Sequence, residues 1–137
     1  MTADQMAVTH AAAFTQSRPW SRDEFASLLA DPACHAFGDA RAFAVVRLVL
    51  DEVELLTLAT HPDHQRQGLA RQVMQSWHAA LVEHGATRAF LEVAADNIPA
   101  QTLYQAQGYA IQGRRKGYYR REDGPSVDAL IMVRALS

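Results

Sequence analysis

Three kinds of residue in this chain invite a chemical reading. The first is a loop that turns into a helix, His61-Pro62-Asp63-His64-Gln65-Arg66-Gln67-Gly68-Leu69-Ala70-Arg71. Backbone N–H groups in the first turn of a helix have no intrahelical partner and carry the positive end of the helix dipole. Gly68 lets a ligand approach the backbone without a Cβ in the way, and Ala70 adds only a methyl. Arg66 and Arg71 add mobile positive charge. Together these features suit a phosphate or pyrophosphate, and the alternative is a plain helix start with solvated charges. The loop is neither a dinucleotide fingerprint nor a P-loop, because GxGxxG and GKS or GKT are absent. The second is Glu92, inside an otherwise apolar strand, with Phe90 and Ala94 on its face by period-two counting. A carboxylate there is anomalous for a core strand; exposure at a sheet opening or pairing with an arginine are the ordinary explanations. The third is Tyr104, beside Leu103 on a helix, where a tyrosine usually packs with its hydroxyl at the rim.

Other candidates carry less. His61 and His64 form an H-x-x-H without the cysteine or carboxylate companions of a metal site, so no metal is expected. His78 and His84 fall off the apolar stripe of their helix and are expected in solvent. Cys34 has no obvious His and Asn partners, so an acyl-enzyme is not expected. The run Arg114-Arg115-Lys116-Gly117-Tyr118-Tyr119-Arg120-Arg121 mixes cations with aromatics. It reads as a solvated strand edge, as a substrate groove lined by Tyr118 or Tyr119, or as an RNA contact. One such patch on an acidic protein is weak evidence for direct nucleic-acid binding.

These residues need elements to hold them. With 137 residues the chain has room for one domain spanning 1–137 and a proper core. Its hydrophobic fraction of 49% and charged fraction of 20% are ordinary for a globular protein. A net charge of -2 gives no global attraction to nucleic acid or anionic lipid. A lone cysteine, no basic-then-apolar leader and no apolar run of membrane-spanning length predict a cytoplasmic chain without a membrane partner. A monomer or weak dimer is expected.

Thr2 and Gln5 predict a capping box for a first helix running to about Phe14. Ser21 and Glu24 predict another, stapled by Trp20 and Phe25 and stopped near Asp31-Pro32. Arg41 to Leu50 and Val53 to Thr60 predict a hairpin. Leu69, Val73, Trp77 and Leu81 make one helical stripe over 69–84, ending before Gly85. Ala89 to Ala94 reads as a buried strand, and Asn97 with Pro99 starts a helix that ends at Gly108. Tyr109 to Lys116 and Val127 to Val133 predict two final strands around a polar loop, Arg120 to Ser126. The sum is a mixed α/β fold with one layer of sheet covered by helices.

The run from Val53 through Gln65-Arg66-Gln67-Gly68-Leu69-Ala70 resembles the strand and Q/R-x-x-G-x-G/A signature of the GNAT superfamily of N-acetyltransferases. Leu91-Glu92-Val93, Asn97, Leu103-Tyr104 and Gly108-Tyr109 resemble that family's second half in order and spacing. Pro19-Trp20-Ser21, Leu50-Asp51-Glu52 and Asp128-Ala129-Leu130-Ile131-Met132 resemble its bacterial ribosomal-protein alanine N-acetyltransferase branch. The resemblance implies a single-domain GNAT fold, a mixed and mostly antiparallel sheet flanked by about four helices. The family usually opens with a strand, and this chain begins at the first helix signal, so that strand is expected to be missing. The resemblance further implies acetyl-CoA as co-substrate and a protein or peptide N-terminus as acceptor, that of a ribosomal protein among them. It implies a cofactor site at Leu58, Ala59, Thr60, Arg66, Gln67, Gly68, Leu69, Ala70, Arg71 and Asn97, with β-strand backbone at Leu58 and Ala59 polarising the acetyl carbonyl. It makes Glu92 the general base and Tyr104 the proton donor to the departing thiolate. Asn97 is also a sound helix cap, and both roles are compatible. Ala70 stands where glycine is commoner in the family, and the Arg120–Ser126 loop differs in detail. A lysine, a small-molecule amine or an aminoacyl-tRNA remains a rival acceptor, as does a non-catalytic acyl-CoA-binding module.

Overall fold

A computed structural model describes residues 1–15, 18–121 and 124–137. Two helices come first, α1 (Ala3–Ala13) and α2 (Arg22–Ala30), and both carry the complete capping box that Thr2 and Ser21 predict. Three strands follow, β1 (Cys34–Asp39), β2 (Ala42–Val49) and β3 (Glu52–Thr60). After a short turn come α3 (Leu69–Glu83), β4 (Arg88–Ala94) and α4 (Ile98–Ala106), then a long hairpin of β5 (Ala110–Arg121) and β6 (Gly124–Ala135).

The six strands form one sheet in the order β1-β2-β3-β4-β6-β5. Every neighbouring pair is antiparallel except β3 and β4, which the α3 crossover makes parallel. Helices cover both faces. Val73, Met74, Trp77 and Leu81 of α3 pack with Val46, Val53, Leu91 and Met132 on one side, and Tyr104 of α4 joins them. Met6 of α1 and Phe25 of α2 pack with Phe43 and Val45 on the other.

A bulge in β3 sets the shape of the sheet's centre. Val46 pairs with Leu55 and Val45 with Thr57, which leaves Leu56 as an extra residue. The strand changes faces there: Val53 and Leu55 belong to the α3 core, whereas Leu56 and Ala59 belong to the α1–α2 core. A bulge also bends and twists its strand. Pairing with β4 covers only Glu52–Glu54 against Arg88–Phe90, so 55–60 diverge from β4.

Three expectations need correction. The sequence reading has no strand at Cys34–Asp39, yet β1 forms there as an edge with no fully buried side chain, lacking the apolar alternation that marks a half-buried strand. The final strands are longer than expected and absorb most of the Arg120–Ser126 loop; its Glu122 and Asp123 lie outside the described residues. His78 is buried, not solvated. Its Nε2 lies 2.7 Å from the Tyr109 hydroxyl and its Nδ1 2.9 Å from Nη1 of Arg134. Both partners come from distant elements, which helical periodicity cannot foresee. His84 is exposed as expected.

Candidate active site

The divergence of β3 from β4 opens a cleft of about 800 Å³. Residues 55–60 of β3 form one wall, and Glu92, Val93 and Ala94 of β4 face them. The mouth of α3 and the first turns of α4 close one end. Every residue marked by sequence for chemistry or cofactor lines this cleft except Gln67, which is exposed and not part of the lining: Leu58, Ala59, Thr60, Arg66, Gly68, Leu69, Ala70, Arg71, Glu92, Asn97 and Tyr104 all do.

The α3 mouth differs from the other α-helix starts. Thr2, Ser21 and Asn97 each accept a backbone N–H with their side chains, but α3 has no side-chain cap. Its first helical bond runs from Gln72 N–H to the Gly68 carbonyl at 3.1 Å, leaving the amides of 69–71 without an intrahelical acceptor. Arg66 and Gly68 both adopt positive φ, 63° and 75°, and so turn the backbone into a concave loop. A Cβ placed on Gly68 would meet only the tip of Arg71, at 4.0 Å, so the space above the glycine is open. Free amides, a positive dipole end and two arginines fit the pyrophosphate of a coenzyme A. The unpaired β3 edge fits the amide-rich arm attached to it.

At the centre, Glu92 is 22% exposed through the cleft, and its Oε1 lies 3.4 Å from Nη2 of Arg115. The strand carboxylate is therefore both open to the cleft and paired with an arginine. Tyr104 is buried, which raises its hydroxyl above the usual tyrosine range and keeps it protonated at neutral pH. Its backbone carbonyl accepts the Tyr109 N–H at 3.0 Å, and the two rings pack edge to face, 6.0 Å apart. Asn97 Oδ1 caps α4 through the Ala100 N–H at 3.2 Å, while Gln101 Nε2 donates to the Ala94 and Ala95 carbonyls and fixes the turn before it. Of the two tyrosines in the basic run, Tyr119 lines the cleft and Tyr118 is 51% exposed outside it. Among the described residues no group of three metal-ligating side chains occurs.

Sequence reasoning missed the opposite wall, built by His10, Phe14, Thr15, Arg18 and Trp20. His10 is the knot of that wall. It stacks on Phe14 at 4.1 Å and on Trp20 at 5.2 Å, and its Nδ1 accepts the Trp20 N–H at 3.1 Å. The Trp20 staple was the one sign in the sequence that this segment is held in place.

Comparison with known proteins decides what the cleft belongs to. Residues 5–109 match the acetyltransferase (GNAT) family. The chain belongs to the GNAT family of acetyltransferases. It is 35% identical over 140 residues to the [ribosomal protein bS18]-alanine N-acetyltransferase of Escherichia coli K12, an alignment covering 99% of this chain and 94% of that one. The Salmonella typhimurium protein of the same description is 38% identical over 70% of this chain and 64% of its own. The crystal structure of the E. coli ribosomal-protein-S18-alanine N-acetyltransferase superposes with a TM-score of 0.89 at 33% identity, covering 98% of this chain and 88% of that one. Arabidopsis thaliana NAA60, solved with acetyl-CoA, shares the fold at a TM-score of 0.82 and 15% identity, over 97% of this chain and 92% of its own. As a GNAT enzyme the chain is an acetyl-CoA-dependent N-acetyltransferase.

Proposed function

We propose that this GNAT enzyme acetylates a protein α-amine, that of an N-terminal alanine on a ribosomal protein. The observation that carries the acceptor class is the likeness, over nearly the whole of both chains, to enzymes described as acting on that substrate. The cleft supports it with a carboxylate open at its centre and a buried, protonated tyrosine on α4.

Acetyl-CoA supplies the activated acetyl group. The amides of 69–71, with Arg66 and Arg71 beside them, hold its pyrophosphate; the free β3 edge at Leu58, Ala59 and Thr60 holds its arm, and Asn97 adds a side-chain contact. An α-amine has a pKa of roughly 7.7–8.0 and arrives mostly protonated at neutral pH, so a base must take that proton. Glu92 does so, directly or through one water, from an amine held against the β3 edge. A backbone N–H on the open edge of β3, at Leu58 or Ala59, would stabilise the carbonyl oxygen as it gains charge. Tyr104 keeps its proton until the sulfur leaves and then donates it, and the second proton that the nitrogen sheds as the amide forms restores the phenol.

Intact-mass analysis of an alanine-initiated ribosomal peptide carrying an internal lysine, with free-thiol release measured in parallel, tests this reading. One acetyl group at the α-amine is expected. Modification at the lysine alone would remove the acceptor assignment.

A further inference from the structure

Glu92 has one charged partner among the described residues, and that partner comes from two strands away. Sheet order places β6 between β4 and β5, with Ile131 opposite Glu92 and Ala129 opposite Arg115. Two ladder steps separate the backbones by roughly 10 Å, which asks for a long side chain. Arginine supplies the length, and Ala129, itself buried, adds only a methyl to the strand that is crossed. Nη2 of Arg115 thereby comes within 3.4 Å of Oε1 of Glu92.

Local structure holds the arginine in place. From Arg115 to Tyr119 the strand β5 takes four steps while β6 takes two, from Ala129 to Val127, so residues 116–118 bulge from the ladder. Asp128 closes that bulge: its Oδ1 accepts the Gly117 N–H at 2.8 Å and its Oδ2 accepts from the Arg114 guanidinium at 2.7 Å. Gly117 makes the turn at φ 61°, and the Tyr118 ring centroid stands 5.3 Å from the Arg115 guanidinium carbon. An ion pair this exposed, 54% at Arg115 and 22% at Glu92, adds little to stability. Its place matters more. Glu92 lines the cleft and Arg115 does not, so the guanidinium meets the carboxylate from the strand edge. A carboxylate has two oxygens, and contact at Oε1 is compatible with proton transfer at Oε2. A glutamate without a partner samples several rotamers, whereas a base must meet its amine within hydrogen-bond reach. We propose that Arg115 is a positioning residue, holding the Glu92 carboxylate in the orientation that receives the acceptor's proton. This inference rests on Glu92 being the general base.

A double-mutant cycle tests it, reading kcat for an alanine-initiated peptide. Arg115→Met alone is expected to lower kcat by about 5-fold, with the KM for acetyl-CoA unchanged. In a Glu92→Gln background the same substitution should change kcat by less than about 2-fold, since no base is left to position. Arg115→Lys returns the charge and should keep kcat nearer that of the unaltered protein than Arg115→Met does. Equal losses in both backgrounds would overturn the proposal, because a purely structural role acts whether or not residue 92 is a carboxylate. Unchanged kcat in Arg115→Met, or a lysine variant no better than methionine, would overturn it as well. If Glu92→Gln alone leaves kcat unchanged, the general-base reading itself is what falls.

Discussion

Glu92 and Tyr104 reach the same cleft from different elements and sit in contrasting environments. The carboxylate is open to the cleft beside Arg115, while the phenol is buried and protonated across the neutral range. That arrangement is what a base and an acid acting in sequence need. Glu92→Gln and Tyr104→Phe are each expected to lower kcat by about 10²-fold or more, with the acetyl-CoA dissociation constant little changed. Steady-state rates with calorimetric cofactor binding check both, and unchanged kcat would retire the role concerned. Gly68 makes a different prediction. At φ 75° a side chain is strained, and the protein itself leaves room for a methyl, so Gly68→Ala should cost about 1–2 kcal/mol in stability and raise the KM for acetyl-CoA several-fold. Denaturant titration and kinetics separate the two effects. Gly68, Ala70 and Glu92 stood out in the sequence because their types are unusual for their places, a glycine and an alanine at a helix mouth and a carboxylate in a core strand, whereas Tyr104 is ordinary on a helix and was marked only by the family resemblance. His10 and Phe14 were not readable, since both are ordinary in an alanine-rich helix and only packing brings them to the cleft.

At the scale of elements, local chemistry announced what long-range packing then modified. Capping boxes at Thr2 and Ser21 and the α3 stripe were plain in the sequence because each lies within a turn or two of chain. β1 was hidden because an edge strand beneath little cover has no apolar alternation; Gly38 in it is essential instead for its turn, since a Cβ there would clash with the Ala42 carbonyl oxygen. The buried histidines show the same limit and carry a prediction. Arg134 can only donate, so His78 Nδ1 accepts and its Nε2–H donates to Tyr109; His10 Nδ1 likewise accepts, from Trp20. Both rings are therefore neutral in the folded protein. Burial, aided at His78 by Arg134, lowers each pKa from 6.5 to about 4. The unfolded chain binds more protons than the folded one between those values, so stability rises with pH there. It is fully present above about pH 6.5 and is lost as pH falls toward 4. Glu24 and Asp39, each lowered to about 2 chiefly by hydrogen bonds from arginine, add a loss of the same sign only below the ordinary carboxylate range. Denaturant midpoints at pH 7.5, 6 and 5 should fall in that order, and His10→Gln should flatten the series; a flat series in the unaltered protein would contradict the neutral-ring assignment.

Across the whole molecule, the sheet's two halves divide the labour. The β3–α3 unit and the α4 mouth line the part of the cleft proposed for the cofactor, and the segment from His10 to Trp20 with Tyr119 and Arg121 of β5 lines the rest. The bulge at Leu56 joins the two tasks, because the face change that lets Ala59 meet the α1–α2 core is also what swings β3 from β4. An acceptor and a cofactor can thus lie in one cleft together, which favours direct transfer over a covalent enzyme intermediate. The one cysteine agrees. Cys34 stands on edge strand β1, opposite Arg47 and separated from β3 by the whole of β2, and it does not line the cleft. Its thiol pKa is raised, by burial and then by Asp31, which leaves little thiolate at neutral pH. Initial rates with both substrates varied should give intersecting double-reciprocal lines, the pattern of a ternary complex. Cys34→Ala should leave kcat and both KM values within about two-fold, because surface and half-buried changes far from a site act mainly through stability. Parallel lines, together with an acetylated enzyme trapped in the absence of acceptor, would instead require a nucleophile that this cleft does not offer from its cysteine.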